Sequence, residues 1–403
     1  LFFDHDDDGD PDLWLADDGD RLKIYRNDSE PGEIRFTSLG RAMGLDESGA
    51  WMGFALGDYD GDADLDVFVT NIGYHPLTRR PPQIPGGDCA YAHRFDWGTC
   101  FHYLLRNDGV TQIPGLGTVG DFVDVAGSTK IKPSRVMPPD SLDPSRIHQS
   151  WQVPTGLNAY DFGFGAAFFD YENDGDQDLY WVGSIGARGE GPRGMLYPGA
   201  GRMLRNRGNG SFEDITAEAH LIDAQGVDYS VLDPDDSRFD AERQRIGQQF
   251  HENGKGLAKG DLNGDGYIDL IATNSSGEIF NERGERQYVK GPLFVWMNSG
   301  GDRRWITIRL TGRMGIDGTG SNADAVGARV YLKAKVNGGE MVTQVQDVLA
   351  SSSFMSMSSL DVSFGLGTAT KVEEIAIRWP GGILQSLSDV DVNQVLEVTE
   401  PQD

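Results

Sequence analysis

One pattern occurs four times in the chain: a short apolar run, a nine-residue acidic loop, and a second apolar run rich in β-branched and aromatic residues. This order predicts strand, loop, strand. The loops begin at Asp4, Asp58, Asp170 and Asp261, and are therefore 54, 112 and 91 residues apart. The shortest spacing fits one four-stranded propeller blade of roughly 40–50 residues. The longer spacings leave room for a further blade or for long insertions.

A second repeated element follows each acidic loop and reads as a strand that ends in asparagine before a turn. It occurs at Ile24–Asp28, Leu104–Gly109, Met203–Phe212 and Val295–Gly301. Residues 72–103 and 220–253 lack strand alternation, and we interpret them as insertions. No acidic loop occurs after residue 301, where alternating strands predict a small all-β domain. The predicted organisation is a repeat region, residues 1–301, and a C-terminal domain, residues 302–403.

The acidic loops place oxygen-bearing residues at positions 1, 3, 5, 7 and 9. These residues are Asp4, Asp6, Asp8, Asp10 and Asp12; Asp58, Asp60, Asp62, Asp64 and Asp66; Asp170, Glu172, Asp174, Asp176 and Asp178; and Asp261, Asn263, Asp265, Tyr267 and Asp269. Calcium takes six to eight oxygen ligands, whereas magnesium retains its own waters, so we expect about four Ca²⁺ ions. At Tyr267 the ligand would be the backbone carbonyl. Position 6 is glycine in three loops, and Ala63 in loop two predicts strain there.

An EF-hand and a solvated acidic turn are the two alternatives to a calcium-binding loop between strands. An EF-hand needs a bidentate Glu at position 12 and flanking helices. Position 12 is instead Leu15, Val69, Trp181 or Ala272, and the flanks read as strands, which excludes an EF-hand. Solvated acidic turns without an ion would explain one such loop. They do not explain four loops that share the same acidic positions.

The four loops resemble the FG-GAP/VCBS calcium-binding repeats of integrin-α-like β-propellers. The stretches Asn322–Val330, Ser363–Gly382 and Val392–Val398 resemble an ASPIC/UnbV domain. This order of domains is similar to the cartilage acidic protein family and its bacterial relatives. The resemblance implies an all-β fold: a secreted, calcium-loaded, seven-bladed β-propeller followed by a small β-sandwich-like domain. It also implies that Ser351–Ser359 is a strand.

Charge and cysteine content narrow the partners and the compartment. The chain has 35 basic and 63 acidic residues, a net charge of −28, which argues against nucleic acid or an anionic membrane as the partner. No apolar run approaches the ~20 residues of a membrane span. Cys89 and Cys100 predict a disulfide of an oxidising compartment, or with His93 and His102 a Cys₂His₂ metal site. The chain opens in what reads as the middle of a strand, which we expect of a mature or partial form.

No GxSxG, HExxH or P-loop motif occurs in the sequence. Together with the resemblance, this predicts a secreted, non-enzymatic, calcium-binding protein with a structural, adhesion or matrix role. Its partner would be an extracellular protein, a polysaccharide or further copies of the chain, the last allowing self-assembly. The alternative, which rests on fold analogy, is an extracellular enzyme that acts on polysaccharide through a cleft on the propeller face.

Overall fold

The fold is known from a computed structural model that describes residues 1–46, 48–72, 102–126, 128–132, 163–183, 186–188, 195–197, 201–216, 218–219, 221, 254–275, 277–280, 286–291 and 293–402. Within these ranges the chain is all-β, with two short 3₁₀ turns at Arg313–Gly315 and Val336–Gly338. None of the described segments is a helix of the length and hydrophobicity that crossing a membrane requires. Most of the two predicted insertions lies outside the described residues.

The described part of the repeat region contains short strands that border the acidic loops and the asparagine elements. In chain order they are β1 (Phe2–Phe3), β2 (Asp12–Leu15), β3 (Asp18–Arg21), β4 (Lys23–Asn27), β5 (Phe36–Ser38), β6 (Ser48–Gly57), β7 (Asp66–Asn71), β8 (Tyr103–Ile113), β9 (Gly117–Asp124), β10 (Lys130–Lys132), β11 (Ala166–Phe169), β12 (Asp178–Trp181), β13 (Gly186–Arg188), β14 (Met195–Tyr197), β15 (Arg202–Asn206), β16 (Ser211–Asp214), β17 (Gly254–Gly260), β18 (Asp269–Asn274), β19 (Gly277–Phe280), β20 (Arg286–Val289) and β21 (Leu293–Trp296).

These strands form four main sheets, each built around one acidic loop. Their orders are β1-β2-β4-β5, β3-β6-β7-β8-β9, β10-β16-β15-β12-β11 and β17-β18-β21, while β13-β14 and β19-β20 are separate hairpins. Neighbours pair antiparallel, except that β10 runs parallel to β16. The strand before each loop pairs directly with the strand after it, as in Phe3↔Asp12 and Gly57↔Asp66. Each loop therefore closes a β-hairpin.

Consecutive sheets pack face to face and share apolar cores. Phe3 and Trp14 of the first sheet lie in one cluster with Phe122 of the second. Phe68 of the second sheet lies in another with Phe212 of the third. A further cluster joins the third and fourth sheets. Sequential packing of this kind is how repeat units that cannot bury their own faces become stable. The described residues contain four such sheets, and the seven-blade count stays a prediction.

The C-terminal domain consists of two sheets around one core. Its strands are β22 (Arg304–Thr311), β23 (Arg329–Ala334), β24 (Val342–Asp347), β25 (Val362–Gly367), β26 (Lys371–Arg378), β27 (Leu384–Asp391) and β28 (Gln394–Thr399). Sheet β25-β22-β28 packs on sheet β24-β23-β26-β27, and Ile306, Phe364, Val330 and Ile375 are among the residues buried between them. This arrangement is a small β-sandwich.

The strand predicted for Ser351–Ser359 is wrong, because this segment has no regular secondary structure. Ser353 and Met355 adopt left-handed backbone conformations, with φ of 73° and 47°, which interrupts an extended strand. We call residues 351–359 the serine strap. Its hydroxyl groups bond to strands β11 and β17: Ser353 Oγ accepts from Ala166 N at 2.9 Å and Ser356 Oγ from Leu257 N at 3.1 Å. The serine hydroxyl groups thus accept hydrogen bonds from backbone N–H groups of β11 and β17.

The proposed disulfide of Cys89 and Cys100 lies outside the described residues, as does His93. His102, the remaining residue of the alternative Cys₂His₂ site, is described and fully buried. Its Nδ1 accepts a hydrogen bond from Asn71 N at 3.0 Å, and its ring packs against Phe68 and Trp181. His102 therefore has a structural role in the second and third sheets.

Candidate calcium loops

Each acidic loop links two adjacent strands of one sheet: β1 to β2, β6 to β7, β11 to β12 and β17 to β18. The carboxylate at position 1 closes the loop by accepting hydrogen bonds from backbone N–H groups at positions 4 to 6. In loop one, Asp4 accepts from Asp8 N at 3.1 Å and Gly9 N at 3.0 Å. Asp58, Asp170 and Asp261 make the corresponding bonds in the other loops. This shared geometry explains why an acid begins every loop.

The aspartate at position 9 connects the loop to the rest of its sheet. One of its carboxylate oxygens accepts from the N–H at position 2, and the other accepts from the asparagine of the third strand. The asparagine N–H bonds are Asn27 to Asp12 (2.8 Å), Asn107 to Asp66 (2.8 Å), Asn206 to Asp178 (2.7 Å) and Asn298 to Asp269 (2.7 Å). Position 9 is almost fully buried in all four loops.

The four asparagines are site residues that the sequence reasoning missed, because it interpreted them only as turn signals. The signal was nevertheless present, since an asparagine recurs after every loop. The side chains of two of them also join neighbouring repeats. Asn206 Nδ2 donates to Tyr59 O of loop two at 2.6 Å, and Asn298 Nδ2 donates to Tyr171 O of loop three at 2.7 Å. Hydrogen bonds therefore link loop two to the third sheet and loop three to the fourth sheet.

In loops one and two the structure brings three of the predicted acidic ligands close together. Ligand oxygens of Asp4, Asp6 and Asp8 lie within 4.8 Å of one another, as do those of Asp58, Asp60 and Asp66. Among the described residues, these are the two groups of three histidine, cysteine or acidic side chains whose ligand atoms all lie within 4.8 Å of one another.

The candidate ligands of loops three and four also make contacts with other side chains. Arg303 Nη1 lies 3.1 Å from Asp174 and 3.6 Å from Glu172 in loop three. In loop four, Asn263 Nδ2 donates to Asp265 at 2.8 Å, and the Tyr267 hydroxyl bonds to the backbone of Arg303. The Tyr267 side chain thus lies against the start of the C-terminal domain. The ligand sets of all four loops, including the carbonyl of Tyr267, stay predictions.

The carboxylates of loop one fit a hard cation because some of their oxygens are buried without a partner. Asp6 is 4% exposed, and neither its Oδ1 nor the Oδ1 of Asp10 accepts a hydrogen bond from any described residue. Burying such an oxygen unsatisfied is costly. A calcium ion would supply the missing partner, and the five predicted ligands of loop one are all aspartates, whose side chains offer only oxygen.

Burial and mutual repulsion also raise the pKa values of these acids. Burial raises the pKa of Asp58 to about 7, and the nearby Asp62 and Asp60 add to the rise. Burial, followed by the charges of Asp8 and Asp12, raises the pKa of Asp10 to about 6. In both acids burial is the larger cause and neighbouring carboxylates the smaller one, and both disfavour the ionised form. A divalent cation in the loop would favour the ionised forms again.

Position 6 has a left-handed backbone in every loop. Gly9, Gly175 and Gly266 have φ of 102°, 96° and 84°, and Ala63 has φ of 73° in loop two. An L-residue with a Cβ atom is strained in this region. The strain expected at Ala63 is therefore present, while its effect on an ion remains a prediction.

Comparisons with known proteins agree with this organisation. A model of the FG-GAP-like repeat matches residues 4–69, and a model of the ASPIC and UnbV domain matches residues 318–403. No curated protein matches the chain. A solved structure, the biofilm matrix protein Bap1 of V. cholerae, is similar at 12% identity and a TM-score of 0.20. That alignment covers 96% of this chain and 58% of the Bap1 chain. The family models thus find an FG-GAP-like repeat in the first acidic-loop region and an ASPIC/UnbV domain at the C-terminal end.

Proposed function

We propose that this chain is a secreted, calcium-binding structural or adhesion protein whose acidic loops each hold one Ca²⁺ ion. The observation that carries the proposal is loop one, where the oxygens of Asp4, Asp6 and Asp8 converge and a buried oxygen of Asp6 has no partner. The same backbone geometry in the other three loops extends the proposal to them. The ions would be structural, because each loop joins the strands of a sheet whose faces form the core.

The test is thermal unfolding of the intact chain in chelator, in calcium and in magnesium. Ion binding to the native state alone raises stability as the free ion concentration rises above its dissociation constant. We expect a melting temperature that is at least ~10 °C higher in millimolar calcium than in chelator, and a much smaller increase in magnesium. Equal melting temperatures in chelator and calcium would contradict the proposal.

The proposed partners are an extracellular protein, a polysaccharide or further copies of this chain. The net charge of −28 supports a role in which calcium lowers repulsion between neighbouring molecules. Sedimentation velocity with increasing calcium distinguishes these partners. Reversible oligomers would support self-association, and a monomer at all calcium concentrations would leave a different protein or a glycan as the partner.

We also propose that the chain is not an enzyme. The two matched domain types are typically non-catalytic, and the sequence contains none of the hydrolase motifs considered above. Turnover of any member of a broad panel of extracellular polysaccharides would contradict this.

A further inference from the structure

The C-terminal domain contacts the acidic loops directly. Two arginines of sheet β24-β23-β26-β27 bind loop one. Arg378 donates to Asp4 Oδ2 at 2.6 Å and to Asp7 Oδ1 at 2.7 Å, while Arg329 donates to the carbonyl of Asp4 at 2.9 Å. Arg329 is also held by a bidentate pair with Asp347 at 2.8 and 3.1 Å, and its side chain is 8% exposed. We call Arg329 and Arg378 the arginine pair.

The position of the arginine pair within its own sheet needs an explanation. Arg329 on β23 lies directly opposite Arg378 on β26 in the strand register. Like charges directly opposite each other on neighbouring strands are destabilising. The acids of loop one compensate this repulsion, since Asp7 Oδ1 accepts from both guanidinium groups. Asp347, opposite Arg329 on β24, offsets part of the repulsion within the sheet, and loop one supplies the remaining acidic partners of the pair.

Position 4 of the loops supplies Asp7, the acid that the arginine pair binds. It has a left-handed backbone in all four loops: Gly61 and Gly264 in loops two and four, but Asp7 and Asn173 in loops one and three. Glycine adopts this conformation at the lowest cost, and Asp and Asn are the next most tolerant residues. The two side chains retained there both reach beyond their own loop. Asp7 binds the arginine pair, and Asn173 Nδ2 donates to Gly266 O of loop four at 3.0 Å.

Loop three also contacts the C-terminal domain. Gly367 N donates to Asn173 O at 2.8 Å, and Asn337 Nδ2 donates to Asp174 O at 2.8 Å. Gly365 packs so closely against loop three that an added Cβ atom would lie 1.8 Å from Asp170 Oδ2. These bonds use backbone carbonyls, so they form only while loop three keeps its tight conformation.

From these contacts we propose that loops one and three are the docking surface of the C-terminal β domain, with Asp7 and the arginine pair at its centre, and that ion binding and docking stabilise each other. The second half rests on the proposed calcium binding. Loop one carries six acids, of which one divalent ion neutralises only part, and the arginine pair neutralises more by binding Asp4 and Asp7. Because two binding events that share a conformation are reciprocally coupled, docking should also tighten ion binding.

Hydrogen–deuterium exchange of the intact chain tests docking at single amides. The Gly367 amide bonds to Asn173 O of loop three, and the Ser353 and Ser359 amides bond to Phe54 O and Lys259 O. The Gly327 amide, which bonds to Val348 O inside the C-terminal domain, is the internal control. We expect chelation to accelerate exchange of the three interdomain amides about tenfold, the size of a typical coupling, and to leave Gly327 unchanged.

The variants D7G and R378Q test the contact itself, without removing any predicted ion ligand. D7G should fold, because glycine is the residue that loops two and four use at position 4. Each variant should accelerate the interdomain amides about two- to fivefold in calcium, and the double variant should show less than the product of the two effects, because both variants remove the bond from Arg378 to Asp7. The matched control is G61N in loop two, where an added Cβ atom meets nothing within 4 Å; it should leave these amides unchanged.

The outcomes separate docking from calcium binding. If calorimetry shows that calcium binds but chelation leaves the interdomain amides unchanged, the coupling is refuted. If calcium does not bind, the proposed function and the coupling fail together, and docking is judged on the variants alone. Docking through Asp7 is refuted if D7G and R378Q exchange at the wild-type rate.

Discussion

Replacing Ala63 by glycine should stabilise the protein, although it removes a side chain. Ala63 lies at position 6 of loop two with φ of 73°, where the other three loops have glycine. A left-handed conformation costs an L-residue with a Cβ atom about 1–2 kcal/mol. Glycine gains freedom in the unfolded chain, which costs about 0.4–1 kcal/mol of stability. The expected net gain in the free energy of unfolding is therefore ~0.5–1 kcal/mol.

Urea unfolding of A63G and the wild type, each in chelator and in calcium, measures this gain. The matched control is the reverse change in loop one, G9A. Gly9 has φ of 102°, and an added Cβ atom would meet nothing within 4 Å, so the only expected cost is backbone strain. G9A should lose about as much stability as A63G gains.

Calcium titration of A63G adds a second measurement. If loop two relaxes when the ion leaves, ion binding has to restore the strained backbone at Ala63, which weakens binding. A63G avoids this cost and should bind calcium up to about fivefold more tightly at that site. A63G that is no more stable than the wild type, or G9A that is neutral, would refute the assignment of left-handed backbone at position 6.

Three further changes test other parts of the structure. N206A should lower the free energy of unfolding by about 2 kcal/mol, because the buried carbonyls of Tyr59 and Gln177 lose their donor; chemical denaturation measures the loss, and a neutral result would contradict the link between loops two and three. G266A should cost about 3 kcal/mol or more, since its φ is 84° and an added Cβ atom would lie 1.9 Å from the Trp305 ring; a soluble variant of wild-type melting temperature would show that this contact is absent. In chelator, the free energy of unfolding should rise as the pH falls from about 7.5 to about 5. Burial raises the folded pKa of Asp58 to about 7, so the native state holds more protons than the unfolded state over this range. D58N should flatten this dependence, and a free energy of unfolding that falls over the same range would contradict the raised pKa.

The repeats and their loops were predictable from the sequence because strand, acidic loop and strand are local features. Pairing of Phe3 with Asp12 needs only a hairpin, and a hairpin is encoded within a dozen residues. The sequence likewise predicts a separate β fold after residue 301, because the acidic loops stop there.

Contacts between distant segments were not predictable in this way. The asparagine elements were recognised as repeats, yet the bond from Asn206 to Tyr59 spans 147 residues and has no local signature. Polar and apolar residues alternate in the serine strap, which is typical of a strand. Its hydroxyl groups instead bond to β11 and β17, and its backbone is left-handed at Ser353. In the sequence, each arginine of the pair resembles an ordinary polar residue of an alternating strand. Their proximity becomes visible only when β23 is paired with β26.

Counting bound calcium on the intact, chelator-treated chain tests the central claim most directly. Native mass spectrometry or calorimetry should find about four ions per chain, one for each acidic loop. Replacing Asp6 by alanine, which offers no side-chain oxygen, should then remove one ion from that count. A chain that binds no calcium, or a D6A variant that binds as many ions as the wild type, would contradict the account.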